Sequence, residues 1–219
     1  RNPSLINEAV WVNAEETIAE ATRKSKVDGR KGPVRLIFPS RLIPEKGVSV
    51  LLEAITKADE KFRSKARSDA LKIDIIGTGA LEKCVKDFIS IHDHSTINVQ
   101  FLKPVDYGRP LFDLIGGYDA GIVTNLYEEQ PRIIYDLASQ GVPCIASRTS
   151  GVEHIATNGE SAILFPPGDI RALADILVSA ADMRAELSAF GAVALKICED
   201  KNHTKMHTRR YEFLKELLD

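Results

Sequence analysis

The chain lacks several features that mark large classes of proteins. It has three cysteines, Cys84, Cys144 and Cys198, and none of them forms a Cys-x-x-Cys pair. Neither a disulfide framework nor a cysteine-based zinc site is therefore indicated, and we expect reduced thiols in the core of a cytosolic protein. No apolar run has the length of a transmembrane helix, and no signal peptide, repeat or low-complexity segment is evident.

Strongly basic character is also missing. The formal net charge of the 219 residues is -2, whereas a nucleic-acid-binding domain usually carries a basic face. We therefore expect no nucleic-acid partner. The basic segments 23–31 and 201–210 are interrupted by polar residues, and we interpret them as exposed linker and helix surface. Peripheral contact of the second segment with a membrane stays open as an alternative.

Metal-ligating residues at ligand spacing are scarce. His203 and His207 share one predicted helical face, and His92 and His94 form a second small cluster. Neither pair has a Glu or Cys at the spacing that a zinc site needs. The chain also contains no Asp-x-Asp pair that could hold a metal beside a diphosphate. We predict no metal site and no cofactor.

The chain does contain a regular alternation of strand and helix patterns. Apolar runs near residues 34–38, 71–76, 97–101, 119–123, 143–146 and 161–164 predict strands with helices between them. This order predicts an α/β, Rossmann-like parallel sheet with helices on both faces. We assign residues 1–32 to an amino-terminal helix and charged linker, and residues 33–219 to the sheet domain with a carboxyl-terminal helix at 204–218. Ligands of such sheets bind at the carboxyl ends of the strands.

Two acids lie where a predicted strand passes into a predicted helix. The strand covers residues 118–124, and the helix covers 131–140, with Pro131 at its first position and Gly141 as its stop. Glu128 is then in the loop and Asp136 in the second helical turn. Amides at the helix start favour an anion such as a diphosphate, while carboxylates accept hydrogen bonds from hydroxyl groups. The pattern suits a sugar nucleotide, although Glu128 as a solvated loop acid and Asp136 as a surface residue remain an alternative.

This motif resembles the signature of retaining glycosyltransferases of family 4, whose usual form is Glu-Gly-Phe-Pro…Glu-Ala. The matching positions are Glu128, Pro131, Ala138, Gly141 and Pro143. Three positions depart from the pattern, because Glu129 replaces Gly, Gln130 replaces Phe and Asp136 replaces Glu. Asp reaches about 1.5 Å less far than Glu, and a missing Gly restricts close backbone approach. We expect an unusual donor or weaker binding.

Other segments carry the same resemblance. Residues 34–47 are similar to the family's Gly-Arg-Leu-x-x-x-Lys-Gly segment, with Ser40 in place of Gly, which implies that Arg41 and Lys46 hold the donor phosphates. Their chemistry fits, since an Arg fork pairs two phosphate oxygens and a Lys adds a point charge. Gly77 and Gly79 follow the second predicted strand. A dinucleotide fingerprint would need a small residue where Glu82 stands, so a dehydrogenase is disfavoured.

Residues 98–105 resemble the strand and loop that contact the nucleotide base in the family, and 147–153 and 159–169 resemble its closing segments. The resemblance therefore covers residues 33–219. It implies catalytic roles for Glu128, Arg41 and Lys46. The nucleotide-sugar site that it implies consists of Ser40, Arg41, Lys46, Gly77, Gly79, Val105, Glu128, Glu129, Gln130, Pro131, Arg132 and Asp136.

The resemblance implies the donor-binding half of a GT-B enzyme that moves a sugar from a nucleotide-diphosphate sugar to a hydroxyl acceptor. The acceptor would be a glycan or lipid-linked glycan in polysaccharide or glycolipid synthesis. In the family an amino-terminal domain binds the acceptor, and this chain begins at Arg1. We thus expect a carboxyl-terminal domain of a longer protein that binds donor without transferring it. We expect a cytoplasmic location, with the inner face of the membrane as an open alternative.

Two other functions remain open at this point. One is a sugar-nucleotide epimerase or a non-catalytic nucleotide-sugar-binding domain on the same fold, because three motif positions depart from the family. The other is a flavodoxin-like signalling or binding module. The second is less favoured, since it would not need Arg41, Lys46 and the acid pair on one rim of the sheet.

Overall fold

The computed structural model describes residues 10–27, 29–92, 96–127 and 130–218. Its six strands all begin and end within one residue of the six apolar runs from which they were predicted. They are β1 (Val34–Pro39), β2 (Leu71–Ile76), β3 (Ile97–Leu102), β4 (Ala120–Val123), β5 (Cys144–Ser147) and β6 (Ala162–Phe165).

Helices separate the strands along the chain. They are α1 (Glu20–Val27), α2 (Val48–Ser64), α3 (Glu82–Ile91), α4 (Arg109–Ile115), α5 (Ile133–Ser139), α6 (Ser150–Glu153), α7 (Ile170–Ala180), α8 (Arg184–Asp200) and α9 (His203–Leu218). Short 3₁₀ helices occur at Ala14–Glu16 and Pro44–Lys46. Across the described ranges, no helix is both long enough and apolar enough to cross a membrane.

The strands form one parallel sheet in the order β3-β2-β1-β4-β5-β6. This order confirms the predicted Rossmann-like fold. The chain moves outward from β1 to β3 and then returns to place β4 on the other side of β1. The loops after β1 and β4 therefore diverge and leave a crevice at the carboxyl ends of these two strands.

Helices cover both faces of the sheet, which explains why the strands are nearly continuous apolar runs. On one face Leu36 and Phe38 of β1 pack with α2, α3 and α7. On the other face Ile37 of β1 packs with α4, α5 and α8. Both clusters consist of buried side chains, so neighbouring residues of one strand contribute to opposite halves of the core.

The loops after β1 and β4 are joined at the crevice. The Thr124 hydroxyl donates to the carbonyl oxygens of Lys46 and Gly47, at 2.6 and 3.0 Å. The backbone N–H of Leu126 donates to the Glu45 carbonyl at 3.0 Å. Gly47 has φ 65°, and a Cβ there would lie 2.0 Å from the Thr124 carbonyl oxygen. Only glycine permits this approach, so Gly47 determines the spacing of the two loops.

The loop after β2 packs on the loop after β1 in a similar way. A Cβ at Gly77 would lie 1.8 Å from the Ser40 carbonyl oxygen. The backbone N–H of Leu42 donates to the Thr78 carbonyl at 2.8 Å, and that of Leu81 donates to the Leu42 carbonyl at 2.9 Å. The Gly-x-Gly sequence therefore allows the backbones of the loops after β1 and β2 to pack against each other at the carboxyl ends of these strands.

The amino-terminal segment packs on this domain through its described residues. Val10 and Val12 are fully buried in the same cluster as α5 and α8. The backbone N–H of Ile18 donates to the Ser139 carbonyl at 2.8 Å. Within the predicted amino-terminal helix and charged linker, Asn13 caps a short 3₁₀ helix and α1 begins at Glu20. The proposed division at residue 32 stays a prediction.

The cysteine prediction holds for two of three residues. All three are free, and Cys144 and Cys198 are buried. Burial raises the pKa of both thiols to about 12, which makes them unreactive. The prediction is wrong for Cys84, which is exposed because α3 buries Val85 and turns the preceding residue toward solvent.

Replacing Gly47 by Ala tests the joint between the two loops. We expect Gly47→Ala to lower the free energy of unfolding by about 2–5 kcal/mol, from left-handed backbone strain and a clash with Thr124. Gly159→Ala is the matched control, since Gly159 has φ 78° with no atom within 4 Å of an added Cβ. It should cost only the strain, about 1–2 kcal/mol. Equal losses in urea denaturation would contradict the role of the contact.

Candidate functional site

A cleft of about 510 Å³ lies at the carboxyl ends of β1, β2 and β4. Its floor includes Pro39, Ile76, Ile122 and Val123, which end these strands or lie near their ends. The crevice created by the strand order is therefore large enough for a small-molecule ligand. The other lining residues are Trp11, Ser40, Arg41, Lys46, Gly77, Thr78, Pro104, Val105, Tyr107, Leu111, Asn125, Pro131, Arg132, Ile133 and Asp136.

Two cationic side chains line the wall formed by the loop after β1. Arg41 is exposed, and Lys46 is half-buried at the end of the 3₁₀ helix Pro44–Lys46. An Arg fork pairs two phosphate oxygens and a Lys adds a point charge. This wall therefore suits an anionic group.

The opposite wall contains a buried acid. Asp136 is 4% exposed although it lines the cleft, so the alternative of a surface residue is wrong. The helix that carries it begins at Ile133 rather than Pro131. The Pro131 and Arg132 carbonyls accept i+3 hydrogen bonds from Ile134 and Tyr135, at 3.1 and 2.9 Å, so these residues form a turn before the helix. Asp136 consequently lies in the first helical turn, and Gly141 at φ 63° follows the helix end as predicted.

Burial shifts the ionisation of Asp136. It raises the pKa of the carboxyl to about 7, while the Tyr107 hydrogen bond and the Arg132 charge act in the opposite direction and Glu16 adds a small upward effect. The Tyr107 hydroxyl donates to Asp136 Oδ1 at 3.1 Å. Burial and the neighbouring carboxylate raise the pKa of Tyr107 well above its usual value. Acids with such shifts occur often in functional sites.

An aromatic side chain that sequence reasoning missed completes this wall. Trp11 lines the cleft and lies under the guanidinium of Arg132, whose Cζ is 4.2 Å from the ring centroid. The Tyr107 ring meets it edge-on at 6.2 Å. The only signal in the sequence was that Trp11 is the single tryptophan of the chain, because the amino-terminal segment gave no indication of reaching the crevice.

The structure brings most of the predicted site residues together. Those that line the cleft are Ser40, Arg41, Lys46, Gly77, Val105, Pro131, Arg132 and Asp136. Gly79 and Gln130 do not line it: Gly79 packs against the Leu42 carbonyl, and Gln130 is half-buried beside Pro131. Glu128 and Glu129 lie outside the described residues. Their predicted roles stay predictions.

The histidine pairs do not combine with other ligands within residues 10–27, 29–92, 96–127 and 130–218. The Nε2 atoms of His203 and His207 are 3.2 Å apart on α9, and Asp93 and His94 are outside these ranges. No group of three or more His, Cys, Asp or Glu side chains that could hold a metal occurs within them.

Comparison with known families decides the classification. The model of the family "Glycosyl transferases group 1" matches residues 33–182, which is more than half of the chain. The chain belongs to this family. The match covers the whole sheet, β1 to β6, and every cleft-lining residue except Trp11.

Individual relatives are distant. A glycogen synthase of Mycobacterium tuberculosis is 25% identical over 154 residues, which is 70% of this chain and 35% of that protein. A phosphatidyl-myo-inositol mannosyltransferase of Mycobacterium leprae is 29% identical over 146 residues, which is 62% of this chain and 34% of that protein. The chain spans about a third of the length of these curated relatives.

Solved structures share the fold. Anabaena HepE, crystallised in complex with UDP-glucose, superposes with a TM-score of 0.71 at 17% identity, over 93% of this chain and 55% of HepE. The predicted Rossmann-like half of a GT-B architecture is thereby confirmed. At 17% identity the likeness shows the fold alone. The ligand of the present chain must therefore be inferred from the residues of its own cleft.

The raised pKa of Asp136 predicts a pH-dependent cost in stability. Between its usual pKa of 3.8 and about 7, the unfolded chain is ionised at this position while the folded chain keeps the proton. Stability from this group is therefore complete below pH 4 and is lost as the pH rises through 7. Asp136→Asn removes the titration, so we expect its stability relative to wild type to rise across this window by up to about 4 kcal/mol.

Urea denaturation at pH 4, 5, 6, 7 and 8 measures this difference. Asp106→Asn is the control, because Asp106 is an exposed acid of the loop after β3, and surface substitutions usually change stability by less than about 0.5 kcal/mol. A pH-independent difference between wild type and Asp136→Asn would show that Asp136 is ionised throughout.

Proposed function

We propose that this chain is the donor-binding domain of a retaining glycosyltransferase. The enzyme would move a sugar from a nucleotide-diphosphate sugar to a hydroxyl of a glycan or lipid-linked glycan. The observation that carries this proposal is the arrangement of the cleft, with Arg41 and Lys46 on one wall and the buried carboxylate of Asp136 on the other. Membership of the glycosyl transferase family supports the transfer of a sugar as the reaction class. A second domain that binds the acceptor is also part of what we propose.

In this proposal Arg41 and Lys46 bind the diphosphate. Negative charge accumulates on the diphosphate as its bond to the sugar breaks. Fixed positive groups stabilise that charge in the transition state more than in the ground state, which is electrostatic catalysis at the leaving group. No metal ion is invoked for this step, because the side chains of Arg41 and Lys46 supply the positive charge.

Asp136 would bind the ribose of the nucleotide. Its Oδ1 accepts from Tyr107, and Oδ2 would accept from a ribose hydroxyl. Glu128 would hold hydroxyls of the transferred sugar and so align the anomeric carbon with the acceptor. We propose retention of configuration because this motif resembles that of retaining enzymes. We propose no protein nucleophile.

The biological setting is proposed from the relatives. One relative is named a glycogen synthase and another a phosphatidyl-myo-inositol mannosyltransferase. The first name denotes a polysaccharide product and the second a glycolipid. We propose that the present domain serves synthesis of one of these two product classes from the cytoplasmic side.

Calorimetric titration tests donor binding directly. The chain should bind at least one of UDP, GDP, ADP or their sugar conjugates. Arg41→Ala should weaken binding of that ligand about tenfold, since a charge-assisted hydrogen bond contributes roughly 1.5 kcal/mol or more. Arg171→Ala on α7 removes the same charge outside the cleft-lining set and is the control.

Unchanged affinity in Arg41→Ala would remove Arg41 from the phosphate site. Equal weakening by Arg171→Ala would indicate general attraction of anions by the surface charge instead of a built site. Absence of binding by all the nucleotides would overturn the proposed function.

The same titration should depend on pH. A protonated Asp136 accepts fewer hydrogen bonds from ribose, and burial raises its pKa to about 7. Affinity for a nucleotide-diphosphate sugar should therefore rise up to about tenfold from pH 6 to pH 8. Such a donor has no terminal phosphate with a pKa near 6, so the ligand adds no titration of its own. In Asp136→Asn the affinity should be weaker and independent of pH, and a profile like that of wild type would contradict ribose binding by Asp136.

A further inference from the structure

Trp11 belongs to the cleft although it lies far from the signature segments in the sequence. It is 57% exposed, while Val10 and Val12 on either side of it are fully buried. These valines anchor the segment in the core and leave the indole at the cleft. The backbone N–H of His203 donates to the Val12 carbonyl at 2.9 Å. The position of Trp11 is therefore set by the folded domain.

The following residues strengthen this anchor. The side-chain amide of Gln140, at the end of α5, donates to the Glu16 carbonyl at 2.8 Å. Ser139 accepts from the Ile18 N–H at 2.8 Å. Both contacts connect the segment that carries Trp11 to α5, the helix that carries Asp136. The positions of the indole and of the acid therefore both depend on α5.

Side chains of the cleft also hold the orientation of the indole. Arg132 lies over the ring, with its Cζ 4.2 Å from the centroid. Tyr107 meets the ring at an interplanar angle of 87° and is itself fixed by Phe112, 5.7 Å away, and by its hydrogen bond to Asp136. A large aromatic group that is oriented on several sides and still more than half exposed is preorganised for contact with a ligand.

We propose that Trp11 is part of the donor site and that the nucleobase stacks on its indole. This inference rests on the proposed function. The cleft is lined by the cations Arg41 and Lys46 and by the acid Asp136, and Tyr107 contacts both Asp136 and Trp11. A nucleoside diphosphate offers a group of matching chemistry for each, namely phosphates for the cations, a ribose diol for the acid and a planar base for the indole.

Stacking has a consequence for selectivity. Every nucleobase has a flat π face, so an aromatic platform binds all bases with similar strength. Trp11 therefore distinguishes a nucleotide from a ligand without a base, and it does not choose among bases.

Two ligands and three variants separate the contributions. The ligands are the nucleoside diphosphate that binds best among UDP, GDP and ADP, and inorganic pyrophosphate, which lacks ribose and base. The variants are Trp11→Ala, Trp11→Phe and the control Tyr211→Ala, which removes an aromatic ring that is 70% exposed on α9 and absent from the cleft lining. Dissociation constants are measured by calorimetry.

We expect Trp11→Ala to weaken the nucleoside diphosphate roughly 5- to 100-fold, the range of base stacking on aromatic side chains. Binding of pyrophosphate should stay within about twofold, because the phosphate wall is intact. Trp11→Phe should restore most of the affinity, and Tyr211→Ala should leave both ligands unchanged. Wild-type affinity for the nucleotide in Trp11→Ala would overturn the proposal, as would equal weakening of both ligands.

The wild-type chain provides a second measurement that needs no variant. Trp11 is the only tryptophan in the 219 residues, so its fluorescence reports on this position alone. Stacking of a base should quench and shift the emission, while saturating pyrophosphate should leave it nearly unchanged. Nucleotide binding in the calorimeter without a change in emission would overturn the stacking proposal and leave the proposed function in place. Absence of heat with every ligand would overturn the proposed function and this inference with it.

Discussion

The close approach of Gly47 to the backbone of Thr124 is the constraint on which the site depends. It joins the loop after β1 to the loop after β4, which are the two loops that diverge at the crevice. The Thr124 hydroxyl, in the loop after β4, donates hydrogen bonds to two carbonyl oxygens in the loop after β1. These bonds maintain the distance between the two loops. Because the cation wall belongs to one loop and the acid wall follows the other, this contact sets the width of the cleft. A side chain at position 47 would separate the walls.

Asp136 illustrates a conflict between stability and the proposed function. A carboxyl that is 4% exposed costs free energy whenever it ionises, and its pKa of about 7 expresses that cost. The Tyr107 hydrogen bond and Arg132 recover part of it. An apolar residue would pack at this place at lower cost. A desolvated acid beside a cleft instead binds hydroxyl groups strongly, because water competes little for its oxygens.

Much of the fold and part of the site could be predicted from local pattern. Buried parallel strands are continuous apolar runs, so all six were found within one residue. Gly141 marked the helix end because its left-handed backbone suits glycine. The helix start was misplaced by two residues because i+3 bonds at Pro131 and Arg132 depend on geometry that residue types do not specify. The burial of Asp136 and the exposure of Cys84 depend on which helical face meets the sheet.

The sequence by itself determined the six strands, their parallel pairing and the residue types on the carboxyl rim, since these depend on hydrophobic periodicity and on backbone preferences of Gly and Pro. Only the tertiary structure decided that Trp11 lies beside Tyr107 and Asp136, and that Gly79 packs against a loop without lining the cleft. Trp11 and Asp136 are 125 positions apart. Contacts at such separation arise from the packing of whole elements on the sheet, and local pattern carries no record of them.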